Sequence, residues 1–189
     1  MAAASVGFAK KGVAATSLEE IANQMGVTKQ TVLYHFGSKQ GLVSAVFANS
    51  AQVLTTELQS ASGRSAPGWP SIQTMVRASF GLALRNPELM GLLREVSRMG
   101  KPWSTEVLEV FQPLIDEAIH YLDEGMDAGI FKRSDSRLVL FTTYAAITAV
   151  VSDTEALRAL GLNLDTRVAV RLRTTVLSFL EAALSPETV

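Results

Sequence analysis

Apolar positions along the chain recur every three to four residues, and strand-like alternation is hard to find. That texture predicts a protein built from helices. Glycine and proline punctuate the helical blocks. The first block spans Ala2 to Lys11 and is stopped by Gly12. Ser17 with Glu20 forms an S-x-x-E capping box, so a second helix starts there and runs to about Gln24, ending at Gly26. Thr28 suits the N-cap of a third helix reaching about Phe36. Gly37-Ser38 breaks the chain, and Ser38 caps a long fourth helix to about Ser60. The stretch 62–68 (Ser-Gly-Arg-Ser-Ala-Pro-Gly) reads as a loop. Beyond it, helices are predicted at about 70–86, 87–99, 103–127, 135–159 and 165–184. Pro70, Pro87 and Pro102 sit near helix starts, where a missing N–H costs nothing. Pro113 falls inside the third of these and is expected to kink that helix or delay its start. The fold class is all-α: an N-terminal three-helix helix-turn-helix domain over 1–47 and a larger helical bundle over 48–189.

Composition narrows the picture. Of 189 residues, 48% are apolar and 19% charged, with a net charge of −1. That is enough to bury a sizeable core and argues against disorder. No apolar run reaches the roughly 18–20 residues of a membrane span. The N-terminus carries no secretory pattern, so the chain is expected to be cytoplasmic, without a membrane partner. Cysteine is absent and there are two histidines, His35 and His120. Disulfides and thiolate zinc sites are thereby excluded, and no metal or other cofactor is expected. No Ser-His-Asp, paired-carboxylate or metal constellation stands out, so no enzyme is expected. Residues 1–47 hold Lys10, Lys11, Lys29 and Lys39 against Glu19 and Glu20, while the remainder is weakly acidic. A mildly basic module on an acidic body is compatible with a DNA reader.

The chemistry concentrates between Ser17 and Phe36. Ile21 and Ala22 are expected to face inward from one helix, Val27 to plug the corner, and Val32 and Phe36 to face inward from the next. Gly26 supplies the positive φ that a sharp turn needs. This is the layout of a helix-turn-helix, whose second helix enters the major groove. That helix presents Thr28, Lys29, Gln30, Thr31 and Tyr34. Gln pairs bidentately with adenine, Lys reaches guanine, and a Thr methyl touches thymine. Tyr34 and Lys39 suit phosphate contacts. By pattern alone, an ordinary corner in a helical bundle fits as well. His35 reads as a helix-terminal residue that packs and bonds backbone, rather than as a proton or metal site.

The stretch from about Phe8 to Val46 closely resembles the DNA-binding domain of TetR/AcrR-type transcriptional regulators. The resemblance is carried by Phe8-Ala9, Gly12, Thr16-Ser17, Ile21-Ala22, Gly26-Val27-Thr28-Lys29, and Tyr34-His35-Phe36-Gly37-Ser38-Lys39 followed by Leu42. It implies a homodimer, a repressor by the family's default, that reads a palindromic operator in double-stranded DNA and is released by a small-molecule effector. The implied DNA-contacting set is Thr16, Ser17, Thr28, Lys29, Gln30, Thr31, Tyr34, His35 and Lys39. Two departures matter. Family members often carry Tyr where this chain has Leu33, and they usually have a longer, basic N-terminus, whereas residues 1–47 hold no Arg. These departures keep an alternative open: a ligand-binding or interaction protein of the same fold with weakened DNA binding.

For the larger domain the resemblance implies an apolar ligand cavity. Met75, Phe80, Leu93, Arg94, Phe111, Ile115 and Tyr144 are the candidate lining residues, with Arg77, Glu95 and His120 as further polar anchors. Low charge and aromatic content favour an apolar or amphipathic effector. Residues 138–151 are apolar nearly all round, and the last helix carries a broad apolar surface. With the family's pairing of its last two helices, this predicts an isologous homodimer through about 136–151 and 166–183.

Overall fold

A computed structural model of the chain describes residues 2–62, 66–88, 90–92 and 103–186. These residues are helical for the most part, with no strand among them, and nine helices have both ends described. They are α1 (Ala2–Lys11), α2 (Leu18–Met25), α3 (Lys29–Phe36), α4 (Lys39–Ser62), α5 (Trp69–Arg85), α6 (Trp103–Asp127), α7 (Ser136–Ser152), α8 (Thr154–Ala159) and α9 (Thr166–Leu184). The chain divides into two compact units. One takes residues 1–53 and 86–112, the other 54–85 and 113–189. The first unit therefore holds the N-terminal stretch together with a later segment that sequence reading assigned to the larger domain.

In the first unit, α1 buries Ala4 and Phe8, four residues apart on one face. α4 buries Leu42, Val43, Val46, Phe47, Ser50 and Ala51, the 3–4 spacing of a core-facing stripe. Ser50 is polar within that stripe, and its hydroxyl donates to the Val46 carbonyl at 2.9 Å. Phe8 and Phe47 are fully buried, and each contributes about 1.5–3 kcal/mol of transfer free energy. Gly91 packs on α1 so closely that a Cβ there would stand 3.1 Å from the Ala9 Cβ.

In the second unit, α5 buries Ile72, Val76, Phe80 and Ala83. α7 adds Ile147 and Val150, and α9 adds Ala169, Leu180 and Leu184. The Tyr121 hydroxyl on α6 accepts from the Gly68 N–H at 3.1 Å and so ties down the chain entering α5. The end of α6 is closed by the Gly125 carbonyl, which accepts from Ile130 N at 2.9 Å and Phe131 N at 3.0 Å. Phe131 is buried there.

Three expectations need correction or delimiting. Residues 135–159 are two helices, not one. Asp153 leaves the helical region at φ −119°, ψ 59°, and its carboxylate accepts from Ala156 N, capping α8. Pro113 does not delay its helix, since α6 starts ten residues earlier at Trp103 and runs through it. The helix expected at 87–99 lies largely outside the described residues; 87–88 and 90–92 are helical.

Candidate nucleic-acid interface

Two capped helices meet at a glycine. Ser17 caps α2, its hydroxyl accepting from Glu20 N at 3.0 Å. α2 ends at Gly26, which sits in the left-handed region at φ 68°, ψ 27°. That conformation costs a side-chain-bearing residue about 1–2 kcal/mol. The turn is closed by Val27 N donating to the Ala22 carbonyl at 3.0 Å. Thr28 then caps α3, accepting from Thr31 N at 3.2 Å. Ile21, Ala22 and Val32 are buried, as the sequence predicts, while Val27 and Phe36 are half-buried. The outer surface of α3 is left free for an external partner. Lys29, Gln30, Thr31, Tyr34 and His35 are exposed, Tyr34 at 86%. The His35 ring stands edge-on to Tyr34, with ring centres 5.4 Å apart, and to Phe36 at 6.4 Å. His35 is thus an exposed residue at the end of α3, edge-on to its two chain neighbours.

Thr16 departs from its expected place. It is 1% exposed, and its hydroxyl lies 2.8 Å from the Gly12 carbonyl and 3.1 Å from that of Gly7. Its side chain is spent on holding the α1–α2 connection and reaches no external partner, which corrects its inclusion among the DNA-contacting side chains. Ser17 is exposed but engaged as a cap. Lys39 donates through Nζ to the Ala14 carbonyl at 3.1 Å, joining the same connection to the start of α4. An ammonium has three donors, so this bond leaves others for a phosphate. Lys11 pairs with Glu20, linking α1 to α2. The Lys11 ammonium holds the Glu20 carboxyl below its ordinary value, aided by a backbone bond from Ser17 and opposed by partial burial. Sequence reasoning missed the Lys11–Glu20 and Gly7–Thr16 pairs. Each joins residues nine apart across a turn, and no helical spacing rule relates them.

The expected ligand-lining residues are not brought together around one described cavity. Phe80 and Phe111 are buried, Met75 and Ile115 half-buried. Phe111 belongs to the first unit and the other three to the second. Leu93, Arg94 and Glu95 lie outside the described residues. Arg77 and His120 are exposed. Tyr144 is 39% exposed on α7, in line with Leu138 at 63% and Phe141 at 65%. That three-residue spacing makes it part of an outward apolar stripe rather than a buried lining. On α9, Val170 and Phe179 are exposed at 45% and 72%. A cleft of about 270 Å³ does exist in the first unit, lined by Ser5, Val6, Asn49, Ser50, Val53, Asn86, Glu88 and Leu92. Among the described residues, none of the expected lining set is part of its wall. Among the described residues no helix is long and apolar enough to cross a membrane.

A capped α2, a left-handed glycine and a capped α3 with a free polar face define a helix-turn-helix protein. Residues 1–46 match the model of the bacterial regulatory proteins of the tetR family. No curated protein matches it. Solved structures share its fold. The fatty acid degradation regulator FadR from Bacillus halodurans is 18% identical, with a TM-score of 0.76 over 95% of this chain and 90% of its own. FadR from Bacillus subtilis, in complex with stearoyl-CoA, is 19% identical at a TM-score of 0.76, over 95% of this chain and 94% of its own. AibR, in complex with isovaleryl coenzyme A and operator DNA, is 13% identical at a TM-score of 0.74, over 98% of this chain and 97% of its own.

Proposed function

We propose that this protein is a cytoplasmic repressor that binds a palindromic operator as a homodimer and is released by an apolar or amphipathic small molecule. The observation that carries the reading is the exposed face of α3, where Lys29, Gln30, Thr31 and Tyr34 are open to solvent on a helix capped at its start by Thr28. Lys29 and Gln30 supply hydrogen bonds for base edges, and Tyr34 with the remaining donors of Lys39 supplies phosphate contacts. Ser17 and His35 flank that face. The two-fold partner is a second copy of the chain, paired through about 136–151 and 166–183. The exposed Leu138, Phe141, Tyr144, Val170 and Phe179 of α7 and α9 support that pairing, since a monomer gains nothing by leaving such residues in water. The domain division is 1–47 for DNA and 48–189 for effector and dimer. An amphipathic effector is compatible with the acyl-CoA molecules held by two of the structural neighbours, FadR from Bacillus subtilis and AibR. Release follows if the effector favours a dimer whose two α3 helices no longer sit about 34–36 Å apart, the spacing of successive major grooves.

The test is selection of bound sequences from random duplex DNA by the purified protein. One palindrome, bound with an affinity that falls steeply with salt as counterions are released, is the expected result. Recovery of no sequence at low or moderate salt overturns the reading in favour of a ligand-binding protein of this fold.

A further inference from the structure

The start of α3 holds a hydroxyl pair that changes what Thr31 offers to DNA. The Thr28 and Thr31 Oγ atoms lie 2.9 Å apart, and the Thr28 Oγ also accepts from the Thr31 N–H at 3.2 Å. Both side chains are exposed. Two bonds to one cap therefore fix Thr31, one through its backbone and one through its side chain. A β-branched side chain has few χ1 wells, and binding its oxygen to the cap selects among them. With the oxygen engaged by Thr28, the methyl group is the part of the Thr31 side chain that makes no hydrogen bond to the helix. A polar residue on a polar helix face is thus turned into an apolar contact point.

We infer that Thr31 is a specificity-determining residue that recognises the C5-methyl group of a thymine through its own methyl. The inference rests on the DNA-binding reading above and deepens it. Residues near the N-terminus of a recognition helix are the ones that meet base edges in the major groove. The thymine methyl is the one apolar feature displayed there. Lys29 and Gln30 beside it carry the polar readout, so each half-site holds a thymine next to the base pairs those two residues read.

The experiment uses the full chain and the duplex it selects. Each thymine is replaced in turn by uracil, which keeps the hydrogen-bond pattern and lacks only the methyl. The wild-type protein is expected to lose about fourfold in affinity at one position per half-site, the equivalent of one buried methyl-sized group at about 0.8 kcal/mol. T31S, which keeps the hydroxyl and loses the methyl, is expected to bind thymine and uracil duplexes equally. T31V, which keeps the methyl and loses the hydroxyl, is expected to retain a preference for thymine. Uracil without effect at every position overturns the inference, as does T31S retaining the discrimination or T31V losing it while still binding the duplex. In all of these the operator is still bound, so the regulator reading stands. Failure of the wild-type protein to select any duplex removes both.

Discussion

The methyl group of Thr16 occupies the space where a side chain at Gly7 would begin: a Cβ on Gly7 would stand 3.0 Å from the Thr16 Cγ2. The threonine is buried and lies within bonding distance of carbonyl groups in α1 and at its end. A small residue on α1 and a two-faced residue before α2 thus set how the first helix meets the second. Replacing Thr16 by Val keeps the shape and removes the hydroxyl. The loss is expected to be about 1 kcal/mol, seen as a lower denaturant midpoint at unchanged slope. DNA affinity measured well below that midpoint should change little, because the Thr16 side chain faces inward.

The Lys11–Glu20 pair ties α1 to α2 from the solvent side, and its stabilisation depends on pH. The Glu20 carboxyl is held below its ordinary value of 4.5, first by Lys11. A carboxyl with a depressed folded-state value stabilises the fold above its unfolded value. That contribution is lost as pH falls below about 4.5 and through the folded value. Thermal midpoints between pH 6 and pH 3 should therefore fall less steeply for Glu20→Gln than for the wild type. Added salt should narrow the difference, because an exposed pair is screened.

Gly125 inverts the usual rule for glycine in a helix. An alanine normally gains about 1 kcal/mol there. Here the new Cβ would stand 2.2 Å and 2.3 Å from the Phe131 ring carbons Cδ2 and Cε2. The buried ring has to move, and the Gly125 carbonyl bonds to Ile130 and Phe131 move with it. Gly125→Ala is expected to destabilise the second unit by about 1–3 kcal/mol, measured by chemical denaturation.

Phe141 and Phe179 test the proposed pairing of copies. Both are mostly exposed, at 65% and 72%, so a charge at either costs a monomer little. Phe141→Asp with Phe179→Asp is expected to turn a dimer into a monomer in sedimentation equilibrium, with helical circular dichroism unchanged. Operator binding should weaken by orders of magnitude, since the two half-sites would no longer be read together. A variant that stays dimeric places the interface elsewhere.

Local chemistry made much of this protein legible in its sequence. Ser17, Thr28 and Ser38 cap helices because a short oxygen-bearing side chain satisfies N–H groups within three residues of itself. Gly12, Gly26 and Gly37 end helices at positive φ because they lack a Cβ. Those interactions reach no further than one turn, so they can be read from spacing, and with them came the free face of α3. Contacts between distant residues were set by packing instead. Thr16 looks like a surface threonine until α1 folds over it. Tyr144 looks like a pocket residue until α7 turns it outward beside Phe141. The break at Asp153 falls in the polar stretch 152–155, just past a strongly apolar run, where a helix can continue as readily as stop. Residue type and spacing determined the helices, the chemistry of α3 and the inward face of the two helices that meet at Gly26, while the burial of Thr16 and the exposure of Tyr144, which depend on residues distant in sequence, were decided only by the tertiary structure.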